Sequence, residues 1–247
     1  MTRARSPLGD VRFEVALYSV AEAARYLDVK PTTFTNWVKG YTRPRGEGKA
    51  TVGDPILTTF APESGRPKAP TIPFVGLVEG MVLAAIRRSG VPLQRVRPAL
   101  TELQRQIGVP HALASRDLYT DGAEVLYDVA ERAGTGPEAS SARQLVVIRN
   151  GQRVFTEVVQ EYLQRIEYDQ RDGFARLVHL PQYERGQVIV DPSRSFGKPI
   201  FSGGGARVLD VLERFWTGES LDELTEEFGV SHDDLEDALR VASRRAA

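Results

Sequence analysis

Cysteine is absent from the 247 residues, and histidine occurs only at positions 111, 179 and 232. Without a thiol the chain has no disulfide scaffold, no cysteine nucleophile and no Cys-ligated zinc or iron–sulfur site. Scattered histidines leave little for a metal centre, so no metal and no other cofactor is expected. No run of about 18 apolar residues is present, so no membrane span is expected. Residues 1–10 carry Arg3 and Arg5 with no apolar stretch behind them, unlike a signal peptide. A cytoplasmic protein is the resulting expectation. No internal repeat or low-complexity segment is visible.

In bulk the chain is ordinary. It is 41% hydrophobic and 26% charged, a globular composition, and its length favours two domains over one. The net charge of −1 hides a polarity. Residues 1–108 carry 16 Lys+Arg against 9 Asp+Glu, whereas residues 109–247 carry 16 against 24. The basic front suits a polyanion through counterion release, and the acidic rear suits a basic surface. The same asymmetry also fits two halves that simply attract one another.

Periodicity gives an α+β, mostly helical chain. Residues 11–17 read as a short strand. Ser19 with Glu22 forms a capping box for a helix over about 20–27. Pro31 opens a second helix that Gly40 ends. Residues 55–60 (PILTTF) read as a strand. Helices follow over 74–88 and about 92–107, the first apolar around most of its circumference and so expected to be buried. Asp121-Gly122 predicts a hairpin between 118–120 and 123–127, and 134–142 reads as a loop. Strand 145–148, the Asn150-Gly151 turn, a helix over 155–165, a hairpin about Asp172-Gly173 and strand 188–190 complete the middle. Helices over about 206–216, 220–228 and 232–244 close the chain. The expected units are 14–108, a mixed α/β connector over 109–186, and 187–247.

The sharpest signal is YSVAEAARYLDVKPTTFTNWVK, residues 18–39. Two short helices joined by a tight turn project the second outward, where its side chains enter a major groove. Thr32, Thr33, Asn36 and Lys39 supply a polar face; Phe34, Trp37 and Val38 supply the core side. Asn pairs with adenine, Thr touches base edges or a thymine methyl, and Lys suits phosphate. Lys30 precedes this helix, and Arg43, Arg45 and Lys49 form a basic wing suited to the backbone. Tyr18-Ser19-Val20, the small-residue helix Ala21-Glu22-Ala23-Ala24 and the helix pair 74–107 resemble the MerR-type winged helix-turn-helix. The turn Asp28-Val29-Lys30-Pro31 and the longer 40–60 wing depart from that pattern, and the long dimerisation helix is missing. A packed helix pair with no DNA role is the plain alternative.

Residues 188–241 carry Asp191-Pro192, Phe196-Gly197-Lys198-Pro199, Gly203, Gly218-Glu219-Ser220 and Phe228-Gly229-Val230-Ser231. This set resembles the small domain of VapB-type antitoxins; the departure is Ser202-Gly203-Gly204-Gly205-Ala206. Phe196 and Ile200 are expected to anchor the leader on the helices. The last two helices have the shape of a second helix-turn-helix, but residues 217–239 hold nine acidic residues and no basic one, which phosphate would repel. The resemblance implies that 187–247 covers a PIN-like ribonuclease toxin, with Phe201, Phe215, Trp216, Arg244 and Arg245 as candidate contacts. A solvated acidic face is the plain alternative.

Enzyme readings are weak. The triplet Gly203-Gly204-Gly205 lacks the Lys-[Ser/Thr] of a P-loop and the rest of a dinucleotide fingerprint. No Ser/His/Asp arrangement stands out, so no catalytic residue is assigned. The resulting expectation is a non-enzymatic, homodimeric antitoxin that binds double-stranded operator DNA at its front, autoregulates, and neutralises a cognate toxin at its rear. The competing expectation is a stand-alone MerR-like regulator whose rear binds a small ligand or another protein. A third is an architectural DNA binder.

Overall fold

The structure, a computed structural model, describes residues 10–45, 49–62, 69–184 and 187–246. The leader with Arg3 and Arg5 lies outside the described residues, as do the side chains of Arg43, Arg45, Lys49 and Arg245. The order is α1 (Val11–Glu14), α2 (Val20–Tyr26), α3 (Pro31–Lys39), β1 (Tyr41–Arg45), β2 (Lys49–Gly53), α4 (Phe74–Arg88) and α5 (Leu93–Ile107), then α6 (Arg116–Arg132), α7 (Pro137–Arg143), β3 (Val146–Arg149), β4 (Gln152–Phe155) and α8 (Glu157–Gln164). The rest is β5 (Ile166–Tyr168), β6 (Ala175–His179), β7 (Val188–Val190), β8 (Ile200–Phe201), α9 (Val208–Trp216), α10 (Leu221–Phe228) and α11 (His232–Ala246). No helix among the described residues is long and apolar enough to cross a membrane.

Helix α4 is the axis of the fold. Its residues 74–86 are all buried, as its largely apolar sequence requires. It packs against α1, α5, α8 and β6. The single charge in that stretch, Glu79, is 2% exposed. It is satisfied by the Thr58 N–H (2.6 Å) and the Thr58 hydroxyl (2.9 Å), with His111 Nδ1 3.4 Å away. This buried carboxylate ties the segment after β2 to the axis.

Sheet topology crosses the middle of the chain. β1 and β2 form an antiparallel hairpin, β3 and β4 another, and β5-β6-β7-β8 an antiparallel four-stranded sheet. Two strands of that sheet lie before residue 187 and two after it. One contiguous apolar core runs from Leu17 to Val241, with a smaller cluster of Leu177, Ile189 and Ile200 on the sheet.

Several sequence expectations give way. The hairpin expected about Asp121-Gly122 is the interior of α6. The stripe Leu118, Gly122, Leu126, Val129 has helical spacing and is buried, and it outweighs a two-residue turn signal. A Cβ on Gly122 would meet Leu118 at 2.9 Å and the Phe155 ring at 3.2 Å, so this glycine permits close packing rather than a turn. The loop expected over 134–142 contains α7, opened by Pro137 at a first-turn position. Residues 11–14 are one helical turn, capped by the Asp10 side chain accepting from the Arg12 N–H. Residues 55–60 join no sheet; their polar groups go to Trp37, Glu79 and Thr71 instead.

Phe196 is not the expected anchor. It is 84% exposed, with φ 52° following Ser195 at φ 46°. The cause lies one residue on. Gly197 (φ 67°) sits so close to the first element that a Cβ there would be 2.3 Å from the Tyr18 hydroxyl. Drawing the backbone against Tyr18 turns the neighbouring ring to solvent, while Ile200 is fully buried as expected. In the glycine triplet, Gly205 rather than Gly203 takes positive φ.

Gly197→Ala is expected to cost about 1–3 kcal/mol through strain and the Tyr18 clash. Gly173→Ala has a similar φ of 75° but nothing within 4 Å, and should cost no more than about 1 kcal/mol. Urea unfolding of both variants checks the difference.

Candidate nucleic-acid interface and partner surface

The front site is built on α2 and α3. Ser19 and Glu22 form the reciprocal capping box that starts α2. Leu27, Phe34 and Trp37 are buried, and Phe34 and Leu27 close over Gly80 of α4. This pins the inner face of α3 to the axis. On its other sides, Lys30, Thr32 and Lys39 are exposed, while Thr33 and Asn36 are half-buried. The helix therefore presents a polar row with a rigid backing. Val38 packs at the edge of the core.

The wing follows directly. Gly40 ends α3 at φ 73°, and the β1–β2 register pairs Arg43 with Thr51 and Arg45 with Lys49. Arg97 of α5 donates to the Asp54 carbonyl at the wing's root and lies 6.0 Å from the Tyr41 ring centroid. Thr33 and Asn36 share a shallow hollow with Tyr41, Arg87, Gln94 and Arg97. Sequence reasoning counted these arginines only in the basic surplus. Their signal is position: Arg87 lies in the last turn of α4, and Gln94 and Arg97 lie in the first turns of α5 across the Gly90-Val91-Pro92 turn.

The rear surface differs from its sequence reading. Phe201 is 1% exposed and belongs to β8 in the core, so it has no face to offer a partner; this corrects its candidacy. Phe215 is half-buried, and Trp216 is 58% exposed. Arg244 is exposed near the Gln182 carbonyl at 3.4 Å. Arg245 lies in α11 by its backbone. The acidic stretch is partly neutralised from outside it. Arg214 binds Glu219 at 2.5 Å and also pairs with Glu227, and Asp237 is buried. Asp222 faces His232 at 2.9 Å.

One carboxylate bridges front and rear directly. Glu22 Oε2 accepts from the Ser19 N–H (2.9 Å) and hydroxyl (2.8 Å), and Oε1 accepts from Lys198 Nζ (2.7 Å). Burial pushes the acid's pKa up, but the bonds from Lys198 and Ser19 outweigh it, leaving it below its ordinary 4.5. Burial also holds the enclosed Tyr18 hydroxyl well above its usual range.

Comparison with known proteins places these features in context. Residues 16–100 match a family described as a putative DNA-binding helix-turn-helix domain. Residues 188–242 match a family of proteins of unknown function, DUF433. The chain is 46% identical over 231 residues to a Mycobacterium tuberculosis (strain ATCC 25618 / H37Rv) protein named putative antitoxin VapB45, spanning 93% of this chain and 95% of that one. It is 27% identical over 236 residues to the uncharacterized protein Rv2308 of the same organism, spanning 90% and 88%. Its backbone is similar to the crystal structure of Rv2018 from M. tuberculosis, with a TM-score of 0.80 and 44% identity over 92% of this chain and 99% of that one.

Because its folded pKa is depressed, Glu22 stabilises the fold fully above about pH 4.5, and this is lost as pH falls through the lower folded value. Glu22→Gln keeps a capping side chain but loses the charge facing Lys198. It is expected to cost about 1 kcal/mol at neutral pH, with the gap to the parent closing in acid. Thermal unfolding of both proteins across pH 3 to 7, read as roughly that difference, checks the sign.

Proposed function

The chain belongs to the family of the putative antitoxin VapB45, and from that premise we propose that it is a DNA-binding antitoxin with two working ends. The observation that carries the front end is α3. Its core face is locked by Phe34 and Trp37, and Thr32, Asn36 and Lys39 stand on the remaining faces beside a two-stranded wing. In this reading Asn36, Thr32 and Thr33 read base edges, while Lys30, Lys39, Arg43, Arg45 and Lys49 hold phosphates in the manner of a MerR-like wing. Arg87 joins them from the end of α4. The protein binds its operator as a homodimer, because helix-turn-helix proteins meet paired half-sites.

The rear end neutralises a PIN-like ribonuclease toxin. Exposed aromatics are the usual anchors of such contacts. Trp216, at 58% exposure, and Phe196, at 84%, fill that role, with Phe215, Arg244 and Arg245 beside Trp216 or on α11. Phe196 replaces the buried Phe201. The remaining acidic side chains of α10 and α11 suit a basic partner. Occupancy at the rear is linked to operator affinity through Glu22 and Lys198, giving autoregulation.

Co-expression with the neighbouring open reading frame tests the rear. A small nuclease-like protein should co-purify, and Trp216→Ala with Phe196→Ser should release it; a chain that purifies alone beside a harmless neighbour would sink the toxin assignment. Binding to a randomised DNA library tests the front. Asn36→Ala should relax preference at one base position at a loss of about 1–3 kcal/mol, whereas Arg43→Ala should weaken all sequences alike and lower the salt slope by about one. Identical behaviour of the two variants would show that α3 does not read bases.

A further inference from the structure

The joint between the front and rear units holds a half-open cavity of about 210 Å³. Its walls come from α2 on one side and from α9, α11 and the Lys198-Pro199 leader on the other. The floor is apolar and aromatic: Tyr26, Tyr183, Val208, Leu212 and Ala238 all line it and all are buried. Among the described residues, the charged lining is Arg25, Lys198, Arg207 and Glu22, and Arg207 also pairs with Asp210 beside the cavity at 2.7 Å. Glu22 is already engaged by Lys198 and Ser19. A rim of three cations against two acids therefore lies over an apolar floor where the two halves of the chain meet.

We propose that this cavity binds a small amphipathic carboxylate, its apolar body on the tyrosine and leucine floor and its head toward Arg25, Lys198 and Arg207. Size sets the class of ligand. The volume exceeds the roughly 150 Å³ cavity that takes up a benzene and falls below the about 300 Å³ at which drug-sized pockets begin. The occupant is thus one ring or a short alkyl chain with an acid group. A cation is disfavoured by a rim on which Arg25, Lys198 and Arg207 outnumber Glu22 and Asp210, and a neutral hydrocarbon leaves that rim unused. The inference rests on the cavity and its charge alone and holds whether or not the rear unit binds a toxin. Because the walls belong to α2 and to the rear helices, an occupant braces the docked arrangement, and its binding is linked to whatever either end holds.

Calorimetric titration of the full chain with phenylacetate and with hexanoate tests the site, with hexylammonium as the charge-reversed control. At least one acid is expected to bind saturably at one per chain with a dissociation constant of about 0.1–1 mM. Hexylammonium should bind at least about tenfold more weakly. Arg207→Glu alters an exposed rim residue, and Ala242→Phe fills the cavity from α11; each should weaken the acids at least about tenfold. Arg207→Glu alone decides the matter if the filled variant fails to fold. The proposal is overturned by no saturable heat with either acid up to about 10 mM, by equal binding of hexylammonium, or by unchanged affinity in the folded variants.

Discussion

The carboxylate of Glu22 closes two structures at once, the first turn of α2 through Ser19 and the seam with the rear unit through Lys198. Each of its oxygens has a separate task, so neither competes with the other. Beside it, the approach of Gly197 to Tyr18 removes the space any side chain would need. An ion pair at a half-buried seam contributes modestly by itself. Its geometric consequence is larger, because Leu27, at the end of α2, is buried beside Phe34 of α3 against Gly80 of the axis. The rear leader, the capped helix and α3 are thereby set in one frame.

A second buried carboxylate organises the other side of that frame. Glu79 lies on an axial helix whose residues are otherwise apolar from 74 to 86 except for glycine. A charge at such a site is tolerable only when its hydrogen bonds are made. Thr58 makes two of them, from its backbone and its hydroxyl. The segment between the wing and α4 must therefore pass over the axis at Thr58, and the wing root is held from there and from Arg97. The wing owes its placement to polar contacts at its base rather than to strand length, since among the described residues β1 and β2 pair only with each other.

Charge polarity along the sequence survives folding at the front more simply than at the rear. Lys30 and Lys39 stay exposed around α3. At the rear, Arg214 lies just outside the acidic stretch and folds back onto Glu219 and Glu227, with its guanidinium 5.0 Å from the Phe228 ring centroid. A window of sequence that begins after residue 216 counts the acids and misses their partner. The surface available to a basic partner is narrower than the composition implies, and Trp216 sits at its edge as the end of α9.

The Ser19–Glu22 capping box, a proline at the first turn of α3, helical stripes and the turn glycines are legible because each arises from contacts within four residues. The helix-turn-helix and the last three helices are local in that sense. The Asp121-Gly122 turn signal is local too, and it misleads because the α6 stripe that overrides it gains its value from packing near Phe155, some thirty positions away. Phe196 and Phe201 show the limit most directly. Both are aromatic residues in an apolar leader, yet one is solvent-exposed and the other enclosed. Their fates are decided by the approach of Gly197 to the distant Tyr18 and by the pairing of β8 with β7, contacts beyond the reach of helical or strand spacing. Local spacing sets which elements form; only the packing of distant elements sets which side chains are left facing water.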